Sequence, residues 1–146
     1  MRMKRSGRTS IIVIITVTLV AAVIGLFLLA GESPTGVGTK FLTALANGNA
    51  KQLAQLGYMD GLSEAQMEEK WKESYETSKF WMFAYRVQGT TNQDPKSATI
   101  KLEWVKNVAN PSSYGEKFEL PMVMIDGKWK VDVRAISREM YPGLPR

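Results

Sequence analysis

Residues Ile11 to Ala30 form an uncharged run of 20 residues, almost all Ile, Val, Leu, Ala and Phe. A helix rises about 1.5 Å per residue, so the run matches the roughly 30 Å hydrocarbon core of a bilayer. Thr16 and Thr18 are tolerable within it, because their hydroxyls can bond back to the preceding turn. The reading is an uncleaved transmembrane helix over 11–30. A cleaved signal peptide is the alternative, but its apolar region would be shorter and would end at a small-x-small site. A cut after Ala30 puts Leu28 where a small residue is wanted. Leu29-Ala30-Gly31 resembles the front of a lipobox, yet Glu32 stands where an acylated cysteine must be.

Charge sets the orientation. Arg2, Lys4, Arg5 and Arg8 precede the run, and only Lys40 follows it closely. The positive-inside bias leaves residues 1–10 as a cytoplasmic tail and the remainder outside, so the expected location is the inner membrane with a periplasmic domain. Thr18, Ala21, Ala22 and Gly25 share one side of the helix at small-residue spacing, a candidate packing face for a neighbouring span. Small residues are common in membrane spans whatever their partners.

The same count disposes of a nucleic-acid reading. The chain of 146 residues carries 19 basic and 14 acidic side chains, a net +5. Four of the basic residues and none of the acids lie before the apolar run, which leaves fifteen against fourteen in the rest. The basic excess belongs to the tail, where topology and anionic lipid favour it.

Composition narrows the chemistry further. With no cysteine there is no disulfide, thiolate nucleophile, iron–sulfur cluster or thiolate zinc site. With no histidine, the commonest general base and the commonest transition-metal ligand are gone. No cofactor is called for, and no catalytic or metal-binding set stands out.

Beyond the run, residues 31–38 read as a short polar linker, with Gly36-Val37-Gly38 as a hinge, and 39–146 as one domain. Phe41, Leu42, Leu45 and Ala46 fall at helical spacing over 39–46, stopped by Asn47-Gly48. Ala50 to Leu56 makes a second short helix. Ser63-Glu64-Ala65-Gln66 is a capping box opening a third, with Met67, Trp71 and Tyr75 as its apolar stripe.

The period then changes. Residues 80–88 are apolar and aromatic on both faces, a strand covered on two sides. Thr90 to Pro95 is a polar turn. Ala98, Ile100, Leu102 and Trp104 alternate with polar residues, as do Phe118, Leu120, Met122 and Met124, with Pro121 suggesting an edge or bulge. Asp126-Gly127 is a hairpin signal leading to Trp129, Val131 and Val133. Three helices followed by a four-stranded antiparallel meander give an α+β class.

Two segments carry a resemblance: Phe41 to Asn49 (FLTALANGN) and Met122 to Val133 (MVMIDGKWKVDV). The first resembles the opening helix, and the second the closing hairpin, of nuclear transport factor two-like (cystatin-like) domains. The resemblance covers roughly residues 36–136 and implies helices packed on a curved, cone-like sheet. That superfamily includes isomerases, cyclases and dehydratases, non-catalytic ligand binders, and membrane-anchored periplasmic domains such as assembly factors of type IV secretion systems. Its short motifs speak to fold more than to function.

Three functional readings follow. The first is an accessory or assembly subunit whose partners are membrane lipid and other subunits of a membrane complex, reached through both span and external domain. The second is a pocket for a small apolar ligand (lipid, quinone or pigment) lined by Trp71, Trp81, Tyr85, Trp104, Met122 and Trp129. Alternation also assigns most of these residues to a packed core. The third is an isomerase- or hydrolase-like enzyme using Asp60 with one of Tyr58, Tyr75, Tyr85 or Tyr114. An aspartate in a Met-Asp-Gly turn is more often a turn former. Arg134, Arg138 and Arg146 read as a solvated basic surface.

Overall fold

The computed structural model describes residues 31–78 and 82–146. Among these residues no helix is long and apolar enough to cross a membrane. The span over 11–30 and its packing face Thr18, Ala21, Ala22 and Gly25 lie outside the described residues, as does Trp81.

The first described helix, α1 (Pro34–Asn47), starts five residues earlier than the apolar spacing indicates. The Ser33 hydroxyl accepts the Gly36 N–H at 3.1 Å, and Pro34 takes the first helical position, where a missing N–H costs nothing. Residues 34–38 are therefore helix, not linker or hinge. Gly38 serves close packing: a Cβ there would overlap Ile100 and come within 3.2 Å of Leu120. Gly48 ends the helix at φ 65, a left-handed conformation that glycine adopts without strain. Between these ends Val37, Phe41, Leu42, Ala44 and Leu45 are buried. Each side chain as large as Phe41 or Leu42 contributes about 1.5–3 kcal/mol on full burial.

The next helix, α2 (Ala50–Leu56), is capped by Asn49, whose side chain accepts the Gln52 N–H at 3.1 Å. A two-residue strand, β1 (Gly57–Tyr58), follows directly. The capping box then opens α3 (Glu64–Thr77) as its sequence indicates: Ser63 accepts from the Gln66 N–H, and Gln66 accepts from the Ser63 N–H at 2.9 Å. Met67 and Trp71, one turn apart, are its buried face. Glu68 and Lys72 pair at 2.7 Å on the wet face.

Four longer strands complete the domain: β2 (Ala84–Asp94), β3 (Ser97–Val105), β4 (Gly115–Ile125) and β5 (Lys128–Asp132). Asp126 at φ 50 and Gly127 at φ 74 form the tight turn between β4 and β5. A 3-10 turn over Val133–Ala135 leads into the last residues. The sheet order is β1-β5-β4-β3-β2.

Several expectations are corrected. The sheet has five strands and is mixed, because β1 pairs parallel with β5 through Gly57↔Val131 and Tyr58↔Asp132. Residues 90–94 extend β2 and are not a turn; as an edge strand β2 can keep its polar Thr-Thr-Asn-Gln side chains in water, and threonine favours extended backbone. The reversal comes later, where Asp94 accepts the Lys96 N–H at 2.7 Å and the Ser97 hydroxyl at 2.6 Å. Pro121 stands in β4, which has neighbours on both sides. It is the first residue past the β4–β5 pairing that ends at Met122↔Val131, so β4 is locally an edge there.

The core lies between α1, α2 and α3 and the inward face of the sheet. Phe41, Leu53, Trp71, Trp104, Leu120 and Val131 are fully buried within it. The closing residues add Ile136, Met140, Tyr141 and Leu144 to the same cluster.

Candidate functional site

Alternation along β3 and β4 turns Trp104 and Met122 inward, and the apolar stripe of α3 brings Trp71 from the opposite layer. All three are buried, with relative exposures of 0, 1 and 0% for Trp104, Met122 and Trp71. Tyr85 and Trp129 are half-buried and pack against the same core. The structure thus gathers five of the six candidate lining residues, but as packed core. The aromatic contacts are intimate. Phe83 stacks on Trp104 with ring centroids 4.3 Å apart, and Tyr141 meets both rings edge-on. On the helical side Phe41 meets Trp71 edge-on at 5.9 Å, and Tyr75 lies 6.4 Å from Trp71.

Open space lies beside this core. A cleft of about 390 Å³ is lined by Leu45 and Ala46 of α1, Tyr75 of α3, Met82, Phe83, Val108 and Tyr141. None of the five described candidate residues lines it, yet Phe83, Tyr75 and Tyr141 connect its wall to Trp104 and Trp71. Met82 and Val108 stand at its rim, 68 and 40% exposed, tied together by the Val108 N–H donating to the Met82 carbonyl at 2.8 Å. Tyr75 donates its hydroxyl to the Leu45 carbonyl at 2.5 Å. Burial, with Tyr141 adding a smaller push, holds its phenol well above the ordinary value. The indole N–H groups of Trp71 and Trp104 are buried and donate to no protein acceptor among the described residues. A larger, more polar cleft of about 630 Å³ runs along Leu102 and Phe118 toward Ala135 and Ser137.

The acid of the enzyme reading lies elsewhere. Asp60 is exposed, outside both of these clefts, and accepts the Tyr58 hydroxyl at 3.1 Å. That hydrogen bond is the main reason the Tyr58 phenol is shifted upward. The Asp60 carbonyl accepts from Arg134 at 2.9 Å, so the turn is fixed by its own contacts. Tyr114 is 72% exposed. Among the described residues no three Asp or Glu side chains converge to hold a metal. Arg146 departs from the solvated-surface reading: its Nη1 donates to the Val133, Arg134 and Ile136 carbonyls at 3.4, 3.2 and 3.0 Å.

No family model matches the chain, and no curated protein matches it. Solved structures do. An NTF-2 like protein of unknown function from Shewanella oneidensis is similar at 14% identity and a TM-score of 0.45, over 68% of this chain and 94% of that one. A ketosteroid isomerase-like protein from Erwinia carotovora atroseptica gives 14% and 0.45, over 65% and 85%. A protein from Thiobacillus denitrificans, described as a calcium/calmodulin-dependent protein kinase type II association domain, gives 7% and 0.50, over 69% and 90%. At such identities a likeness speaks to fold alone, and of these three only the last reaches a TM-score of 0.50.

Proposed function

We propose that this chain is a single-pass membrane protein whose domain from Glu32 onward binds other subunits of a membrane complex and does not catalyse a reaction. One observation carries the binding role. The space between helices and sheet is filled by Phe41, Trp71, Trp104, Leu120 and Met122, and no Asp, Glu, Lys or Arg among the described residues is buried. The charged side chains that line the larger cleft, Lys101, Lys117 and Glu119, are exposed, whereas general acid–base work is favoured by a titratable group held partly out of water. The membrane role rests on the sequence: the apolar run 11–30 follows four positive charges, and only three residues separate Ala30 from α1.

The test is purification of the tagged full chain in mild detergent, with the masses of the co-purifying chains measured. A different chain at fixed stoichiometry is expected. Recovery of this chain alone, in any oligomeric state, overturns the reading.

The apolar cleft beside Tyr75, Phe83 and Tyr141 favours a second reading, a site for a small apolar molecule. Native mass spectrometry of the purified chain is expected to show a non-protein adduct on that reading. Its absence from gently purified material removes the ligand.

A further inference from the structure

The strand β2 is the outermost on its side of the sheet. Edge strands of its length are commonly blunted by lysine or proline. Residues 84–94 (AYRVQGTTNQD) contain neither, and from Thr90 to Asp94 every residue is exposed. Its irregularities are two bulges, between Val87 and Gly89 and between Asn92 and Asp94.

One bulge lies on each side of Thr90. Thr90 faces Ile100 on β3, Arg86 faces Glu103, and Asp94 faces Ser97. Counted along the β3 ladder, Arg86 and Asp94 therefore stand three positions to either side of Thr90, with one bulge in each half. An antiparallel copy of β2 can be laid against it with Thr90 opposite Thr90. It also places each Arg86 opposite an Asp94 on the same face, twice over.

We infer that β2 is a self-complementary interface, through which two copies of this chain pair edge to edge about a two-fold axis at Thr90. The occupant is a second copy because the charge pattern closes on itself: a positive and a negative end, equidistant from the axis, satisfy each other only in the antiparallel self-pairing. Both charges are available. The Arg86 side chain is 81% exposed and has only a long contact of 3.8 Å to Glu103. Asp94 uses one acceptor site on each oxygen for its own turn, and a carboxylate oxygen offers a second. The polar residues between the charges (Gly89, Thr90, Thr91 and Asn92) are small enough to let two backbones reach ladder distance.

The full chain in detergent micelles tests this. It contains no cysteine, so in a Thr90→Cys variant any disulfide must join two copies. Directly opposed residues have Cα atoms about 4.5–5.5 Å apart, within the range a disulfide spans. Thr90→Cys is expected to cross-link nearly completely under mild oxidation, while Lys117→Cys, exposed on the outer face of β4, stays largely monomeric. Arg86→Glu sets like charges opposite each other twice and is expected to raise the dimer dissociation constant by roughly tenfold in sedimentation equilibrium. A chain that remains monomeric at all concentrations overturns the inference. So does a dimer in which the Thr90→Cys variant fails to link, or links no better than the Lys117→Cys variant. The foreign subunits of the proposed function play no part in these readouts, so either idea can fail alone.

Discussion

Tyr75 donates its hydroxyl to the carbonyl of Leu45, thirty residues back along the chain, and so fastens the end of α3 to the last turn of α1. The same carbonyl accepts the Gly48 N–H of the helix cap at 3.3 Å, so Tyr75 fills its second acceptor site from another helix. Removing the hydroxyl by Tyr75→Phe keeps the ring against Trp71 and loses the bond. The expected cost is about 1 kcal/mol, read as a lower urea midpoint with an unchanged slope.

The same residue gives a pH dependence. Burial raises the Tyr75 phenol in the folded state, so folding favours the protonated form. Its contribution is complete below about pH 10, where an unfolded tyrosine titrates, and is lost as pH rises through the higher folded value. Stability is expected to hold through neutral pH and fall in strong alkali, with a shallower fall in Tyr75→Phe. Equal alkaline slopes in the two proteins would show that another group controls the decline.

Gly38 and Gly36 separate packing from flexibility. A side chain at Gly38 runs into Ile100 and Leu120 across the helix–sheet interface, whereas a Cβ at Gly36 meets only Ser33 at 3.3 Å and Glu32 at 3.6 Å. Gly38→Val is expected to destabilise the domain by about 1–3 kcal/mol, an overpacking cost. Gly36→Ala is expected to be neutral or stabilising by up to about 1 kcal/mol through helix propensity. Thermal unfolding of both variants checks this; a hinge would make them alike.

What the sequence made legible follows from locality. The capping box at Ser63, the alternation around Trp104 and Leu120, and the Asp126-Gly127 turn are each set by residues within a few positions, and each is found where it was read. The start of α1 was also written locally, in Ser33-Pro34, but Gly36 and Gly38 lower helix propensity enough to mask it. By contrast β1 is two residues long and exists because Gly57 lets the chain pass close to Val133, a contact between distant segments. The cleft was equally hidden. Tyr75, Phe83, Val108 and Tyr141 come from four segments, and the Pro- and Gly-rich ending that supplies Tyr141 reads as loop although it buries Met140, Tyr141 and Leu144.

Arg146 is the anchor of that ending. Its guanidinium Nη1 reaches the carbonyls of the 3-10 turn and of Ile136, and desolvation pulls its pKa below the usual arginine value. Arg146→Ala is expected to lower stability by about 1 kcal/mol and to loosen Tyr141 from Phe83 and Trp104. Tryptophan fluorescence and near-ultraviolet dichroism of the native state report the second effect. Arg146→Lys, with one point-like donor group in place of a planar fork, is expected to recover only part of it.

The membrane arrangement yields the most direct test, because the chain lacks cysteine and one introduced thiol reports its own side of the bilayer. Ser6 lies in the basic segment before the apolar run, and Lys51 is exposed on α2. Under the proposed arrangement, with four positive charges ahead of the run, residue 6 is expected in the cytoplasm and residue 51 outside. In cells whose outer barrier has been opened, a membrane-impermeant maleimide is expected to label Lys51→Cys at once and Ser6→Cys only after lysis. The reverse pattern would place the domain in the cytoplasm. Labelling of both before lysis would mean that residues 11–30 do not separate two compartments, and the membrane half of the proposed function would fall while the binding role stayed open to its own test.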